Sequence, residues 1–297
     1  MMPLIVIAGP TASGKSALGM ALAQHLNGEI VSADSMQIYQ GMDIGTAKEI
    51  NPPIAHHLIN VVKPDTPFSV ATYQKLARTA VAEILAKGKQ PIVVGGTGFY
   101  LNALLYDVSF EVPPNLAYRE TLANLAKTQG VQVVYERLMA VDPVYASTIH
   151  PNNVAKITRA IEYHHTTGQR LSDQNQADAQ AKPMYDTKTF ILDLPREGLY
   201  QRINERVEAM VQQGLVAEVA GLLAQGYGAD LPAMGSIGYK ETVNHLKGVI
   251  SLEEMVAQIQ QNTRNYAKRQ VTWLRNKTKG QWIDAQNTPL EEILKGL

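Results

Sequence analysis

The chain has 297 residues, 45% hydrophobic and 18% charged, with 27 Lys and Arg balancing 27 Asp and Glu. That suits a globular protein with one large domain, or a core and a smaller second domain. The lack of cysteine excludes disulfides, thiolate metal sites and thiol nucleophiles, and the zero net charge lacks the global basic bias usual in nucleic-acid binders.

Met1-Met2-Pro3 carries no basic leader region and no apolar run approaches a bilayer span, so a soluble cytoplasmic protein is expected. Leu4–Ala8 reads as a strand and Ser16–Leu26 as a helix. Between them Gly9-Pro10-Thr11-Ala12-Ser13-Gly14-Lys15-Ser16 is a complete G-x-x-x-x-G-K-S phosphate loop. Its backbone N–H groups would bind phosphate oxygens, with Lys15 on the outer phosphate and the Ser16 hydroxyl on Mg²⁺. The competing reading is a plain Gly/Ser turn between strand and helix.

Glu29–Ala33 reads as a second strand, leading into Asp34-Ser35-Met36-Gln37-Ile38-Tyr39. Carboxyl ends of strands face the ligand crevice in open α/β sheets, so Asp34 should lie near the phosphate loop. By position alone it is equally a helix cap, a Mg²⁺ carboxylate or a catalytic group. Ser69–Lys87 has apolar residues near a 3.6 period and reads as a helix. A third strand, Pro91–Val94, ends in Gly95-Gly96-Thr97-Gly98-Phe99-Tyr100. That segment reads as a second flexible edge loop, or as a strand-to-helix turn needing positive φ. Ordinary phosphate-loop hydrolases carry a Mg²⁺-binding Asp after such a strand. Gly95 occupies the position here, which argues against a simple ATPase.

The pattern turns helical after Val112-Pro113-Pro114, with Leu116–Gln129, Val133–Val141 and Asn153–Thr167 as helices. Ser172 to Lys182 is polar and reads as a mobile loop. Lys188–Leu194 returns to strand character and Gln281–Ile283 forms a last short strand. Between them Arg196–Gln213, Val216–Gln225, Tyr239–Leu246 and Leu252–Arg275 read as helices. The expected fold is α/β. A P-loop doubly wound parallel sheet core, residues 1–112 and 186–297, would carry a helical insertion at 113–185. From Met255 to Ile283 six cations (Arg264, Lys268, Arg269, Arg275, Lys277, Lys279) stand with no acidic residue. This is either a solvated helix face or a polyanion site. The His56-His57 and His164-His165 pairs are not spaced like a metal site and read as structural.

Taken together these segments resemble the tRNA dimethylallyltransferase family. The phosphate loop, Asp-Ser-Met-Gln-Ile-Tyr, Gly41-Met42-Asp43-Ile44-Gly45-Thr46-Ala47-Lys48, His56-His57-Leu58 and Gly-Gly-Thr-Gly-Phe-Tyr carry the likeness. So do His150-Pro151-Asn152-Asn153, Arg159-Ala160-Ile161-Glu162, Ile237-Gly238-Tyr239-Lys240-Glu241 and Arg264 to Trp273. The likeness covers nearly the whole chain. It implies transfer of a dimethylallyl group from dimethylallyl diphosphate to N6 of adenosine-37 of tRNA, beside the anticodon, releasing diphosphate. The phosphate loop would then hold a leaving diphosphate.

An exocyclic amine is a poor nucleophile, and a carboxylate in reach of N6 can take its proton as the C–N bond forms; Asp34 is the expected base. Lys15, the loop amides, a Mg²⁺ on Ser16 and Arg206 would stabilise the departing diphosphate. Arg206 matches an arginine of the family; the alternative for it is surface pairing with its helix neighbours. By resemblance Thr97 contacts substrate near the reacting centre. Asp34, Ser35, Met36 and Gln37 belong to the pocket of a flipped base, with Gln37 an amide partner for its edge. Arg264, Lys268 and Arg269 would clamp the RNA backbone, with Asp230 to Gly235, Arg119, Lys156 and Arg159 as further contacts. Relatives carry Gln-Arg where this chain has Ala155-Lys156. The insertion would grip the anticodon stem, and a monomer is expected.

Three other functions compete. A P-loop small-molecule kinase using ATP is opposed by Gly95, and prenylation of free adenine nucleotides by the large insertion. A non-catalytic RNA-binding protein is separated by whether loss of Asp34 abolishes turnover.

Overall fold

The computed structural model describes residues 2–49, 51–110, 115–288 and 290–297; the turn at Val112-Pro113-Pro114 lies outside them. The chain runs β1 (Leu4–Ala8), α1 (Lys15–His25), β2 (Gly28–Ala33), β3 (His56–His57), α2 (Val70–Ala86), β4 (Gln90–Gly95) and α3 (Gly98–Leu105). Five helices follow: α4 (Leu116–Gln129), α5 (Val131–Val141), α6 (Pro143–Ala146), α7 (Val154–Thr167) and α8 (Leu171–Ala179). The chain then runs β5 (Thr187–Asp193), α9 (Arg196–Gln212), α10 (Leu215–Ala224), α11 (Tyr239–Leu246), α12 (Leu252–Lys277), β6 (Gln281–Asp284) and α13 (Leu290–Lys295).

Two compact units result: Met1–Leu105 with Met184–Leu297, and Tyr106–Pro183. The second unit is thus a few residues longer at its start, and shorter at its end, than the 113–185 expected from sequence.

The first unit is built on one six-stranded parallel sheet, ordered β3-β2-β4-β1-β5-β6. Parallel strands are covered on both faces and read as continuous apolar runs. Every residue of β1, Leu-Ile-Val-Ile-Ala, is buried. β1 registers Ile5 against Ile92 of β4 and Leu4 against Thr187 of β5, so the strands bearing the two glycine-rich segments lie side by side. Ile5, Leu22, Ile92, Phe190 and Ile293 pack in one buried cluster. A second cluster joins Ile38 and Met42 to Val207, Leu215, Tyr239 and Ile259 of the later helices.

Caps mark the helix starts. Ser69 accepts the Thr72 N–H ahead of α2, and Ser251 and Glu254 form a capping box on α12. Among the described residues no single helix is long and apolar enough to cross a membrane.

The second unit is helical, closed around Leu122, Val134, Leu138, Ile157 and Ile161. Here the structure corrects the sequence reading: residues 172–179 of the supposed mobile loop belong to α8, anchored by buried Leu171 at its start. One buried residue gives no period, so the helix is silent in the apolar pattern. The two-residue β3 and the helices α3, α6 and α13 were also not expected.

Candidate active site

β1 ends at Ala8 and α1 begins at Lys15, and the turn between them is tight. Gly14 caps α1 at φ 93° and Ala12 sits at φ 62°. The left-handed region is open to glycine but strained for alanine, so the loop stores strain where it must curl. Lys15 Nζ donates to the Pro10 carbonyl at 2.6 Å, folding the side chain back over the loop. Ser13 Oγ, 1% exposed at residue level, has no hydrogen-bond partner among the described residues.

A chamber of about 360 Å³ opens beside this loop. Thr11, Lys15 and Ser16 line one end, Asp34 the tip of β2, and Arg206 enters from α9. Ile203, Val207, Met210, Ile237 and Ile259 add apolar surface. Burial first, then the Arg206 guanidinium, push the Lys15 ammonium down to about 8, while Asp34 opposes both. Burial also lowers Arg206, with Asp34 and Glu49 acting the other way. Arg206 is therefore a chamber residue rather than one of a surface pair. Two cations crowded together at a helix N-terminus form a site for a multiply charged anion.

The donor set also fits Mg²⁺. Ser16 and Asp34 both border the chamber, and Mg²⁺ bound with phosphates takes only one or two protein oxygens. Among the described residues no cluster of three or more metal-ligating side chains would hold a metal unaided.

Asp34 is fixed by its own turn, with Oδ1 accepting the Met36 N–H at 2.8 Å. The Ser35 N–H donates to Thr97 Oγ1 at 3.1 Å and the Thr97 N–H to the Ala33 carbonyl at 3.1 Å. Asp34 and Thr97 are thus stitched together from two neighbouring strands.

The glycines beside Thr97 serve close packing rather than positive φ, which corrects the sequence expectation. A Cβ on Gly95 would strike the Ala33 backbone, one on Gly96 the Gln270 amide, and one on Gly98 the Trp273 indole. No carboxylate can stand at position 95 in this fold, which gives a steric reason for the missing Asp.

Sequence reasoning did not single out Gln270 or Tyr266. Gln270, 6% exposed, accepts the Thr11 N–H at 2.8 Å through Oε1 and donates Nε2 to the Gly96 carbonyl at 3.0 Å. Tyr266 bonds to Thr97 and Gln270, and burial, with Asp34 adding to it, pushes its phenol up to about 12. Their spacing with Ile259 and Thr263 puts all four on one face of α12, a signal present in the sequence but masked by the neighbouring cations. The loop carrying Thr46 into the chamber wall is held by Glu218. Its carboxylate accepts the N–H groups of Asp43, Ile44 and Gly45 and the Tyr239 hydroxyl.

Other expected residues are differently engaged. Both ends of the Gln37 amide are used, Oε1 by Ser32 and Nε2 by the Thr46 carbonyl, so its role is to hold the wall. Arg119 forks onto Glu162 at 2.8–3.0 Å inside the helical unit. Arg264 donates to Asn204 at 2.6 Å and Gln261 at 2.9 Å. Lys268 and Arg269 on α12, and Lys156 and Arg159 on α7, are exposed. Three of the four paired histidines have structural partners: His57 meets Glu29 at 2.7 Å, His56 the Ile54 carbonyl, and His165 stacks on Tyr118.

The chain matches the family model described as IPP transferase over residues 37–277 and the one described as Isopentenyl transferase over residues 2–55. It is 47% identical to the tRNA dimethylallyltransferase of Geobacillus thermodenitrificans, over 95% of this chain and 90% of that one. The crystal structure of full-length tRNA isopentenylpyrophosphate transferase from Bacillus halodurans aligns with a TM-score of 0.73 at 38% identity, covering 99% of this chain and 94% of the other. A eukaryotic dimethylallyltransferase captured acting on tRNA aligns with a TM-score of 0.80 at 30% identity, covering 97% and 75%.

Proposed function

We propose, from the premise that this chain belongs to the tRNA dimethylallyltransferase family, an assignment of the reaction to its residues. The chain is a tRNA prenyltransferase; a phosphate-loop kinase is not favoured. Dimethylallyl diphosphate binds with its diphosphate on the loop N–H groups, Lys15 and Arg206. Its five-carbon tail lies along the apolar chamber wall. A flipped adenosine-37 of the anticodon stem-loop presents N6 to the allylic carbon.

N6 forms the new C–N bond as the C–O bond to diphosphate breaks. The N6 proton passes to Asp34, and the electron pair of the broken bond leaves on the diphosphate. Mg²⁺ held by Ser16 would supply charge neutralisation on that leaving group. Tyr266 lines the chamber beside Asp34, and Thr97, outside the lining, holds the Asp34 turn rigid through the Ser35 N–H.

The observation that carries this reading is that Lys15, Arg206 and Asp34 share one chamber, joining an anion site to a base across apolar surface. Lys268 and Arg269 support a backbone clamp on α12, and Lys156 and Arg159 support a grip on the anticodon stem by the helical unit. One chain supplies every group the reaction uses, so we take the working unit as a monomer, acting in the cytoplasm where its tRNA circulates.

The test is incubation with Mg²⁺, dimethylallyl diphosphate and an unmodified anticodon stem-loop, followed by mass analysis of the nucleosides. Prenylated adenosine is expected. Its absence, with ATP-dependent phosphorylation of a small acceptor instead, would overturn the reading.

A further inference from the structure

We propose that Phe99 and Trp273 form a stacking platform for an unpaired nucleotide adjacent to the one that enters the chamber. The inference rests on the tRNA reading above.

α12 carries two neighbouring stripes. Tyr266 and Gln270 line the chamber. One position away, Asn265, Lys268, Arg269, Trp273 and Lys277 line a second, more open groove of about 560 Å³. Gly98 lies so close to the Trp273 indole that a Cβ there would strike it. Phe99 stands against Trp273 with ring centroids 4.7 Å apart and planes tilted by 45°. The Phe99 side chain is turned outward while its α3 neighbours Tyr100, Leu101 and Leu104 are buried, and it is 54% exposed.

A single exposed apolar residue needs no explanation. An exposed Phe99 leaning on a half-buried Trp273, beside three cations of a stretch without acidic residues, is a different arrangement. Cations tracking a backbone, with aromatic faces for the bases, recognise single-stranded nucleic acid without sequence readout. Phe99 is two residues from Thr97 and Trp273 three from Gln270, so the groove adjoins the chamber. Flipping one base strips its neighbour of a stacking partner, and a fixed aromatic face replaces what the neighbour loses.

The test compares Phe99→Ala, Phe99→Leu and Phe99→Tyr in steady-state transfer to the stem-loop. Alanine and leucine should raise KM for the RNA about tenfold, tyrosine should restore it, and KM for dimethylallyl diphosphate should stay put. In Trp282→Phe protein, which leaves Trp273 as the sole tryptophan, emission should fall on adding stem-loop and not on adding diphosphate. An unchanged KM for RNA in Phe99→Ala, full rescue by leucine, or equal rises in both KM values would overturn the platform alone. Self-association lost in Phe99→Ala would assign the groove to a second copy and likewise overturn it. A wild-type chain that transfers nothing would remove the tRNA reading and the platform together.

Discussion

The side-chain oxygen of Gln270 accepts the backbone N–H of Thr11 at 2.8 Å, across 259 residues of sequence. The same amide donates to the Gly96 carbonyl, so one buried side chain sets the spacing between the phosphate loop and the Thr97 turn. Gln270→Ala leaves the buried Gly96 carbonyl and the half-buried Thr11 N–H unpaired and should cost roughly 1–3 kcal/mol, most of it from the carbonyl. It should also lower kcat at least tenfold, since small displacements of reacting groups are expensive. Denaturant melts and transfer kinetics check both. A variant that is destabilised yet keeps wild-type kcat would show that the amide holds the fold and not the reaction geometry.

Asp34→Asn keeps an oxygen for the Met36 N–H and so preserves the turn, while removing the base. We expect kcat to drop about 10²–10⁴-fold with affinity for the stem-loop retained. Filter binding and single-turnover assays separate the two quantities. Undiminished turnover would exclude Asp34 as the proton acceptor.

Lys15 gives the site a pH signature. Burial and Arg206 hold its ammonium at about 8, and a bound diphosphate pulls that value back up. The free protein loses this charge as pH rises through about 8, so binding must then take up a proton. Diphosphate affinity should weaken towards tenfold per pH unit above that point, while Lys15→Arg, which stays charged, should show no such trend. For folding the sign runs the other way. The unfolded lysine keeps its proton up to about 10.5, so the destabilisation from the buried ammonium is full below pH 8 and fades towards 10.5. Calorimetric titration across this range is the measurement.

Arg119 distinguishes a structural ion pair from an RNA contact. Its partner Glu162 has a side chain only 3% exposed and also accepts the Asn115 N–H at 2.6 Å. Arg119→Ala strands that carboxylate and should destabilise the helical unit by roughly 3 kcal/mol. Faster proteolysis between Tyr106 and Pro183, with KM for RNA near wild type in the folded protein, is the expected outcome. Unchanged stability with a raised KM would restore Arg119 as a direct RNA contact.

The phosphate loop, the strand–helix alternation and the Asp34 block were legible in sequence because each is a local pattern with a physical cause. What escaped was non-local or patternless. β3 consists of two histidines that join the sheet by backbone pairing, with no apolar run to announce it. α8 buries a single leucine. The glycines at 95, 96 and 98 read as conformational hinges, and only the folded neighbours reveal that they make room for Ala33, Gln270 and Trp273. Gln37 looked like a free amide because Ser32 and Thr46 are fixed against it only by the fold. Gln270 sat unnoticed among cations whose charge is visible in one dimension, whereas its two backbone partners are not.

Synthesis of this chain is vectorial, and the register of β1 with β5 has a consequence for the nascent protein. Leu4 pairs with Thr187, so one edge of a wholly apolar strand waits for its neighbour while the intervening chain is made. At about 5–20 residues per second the delay is roughly 10–40 s. During it that edge has no strand partner. Arg206, Tyr266 and Gln270 emerge later still, so a message truncated anywhere before them yields a chain with a phosphate loop and no working chamber.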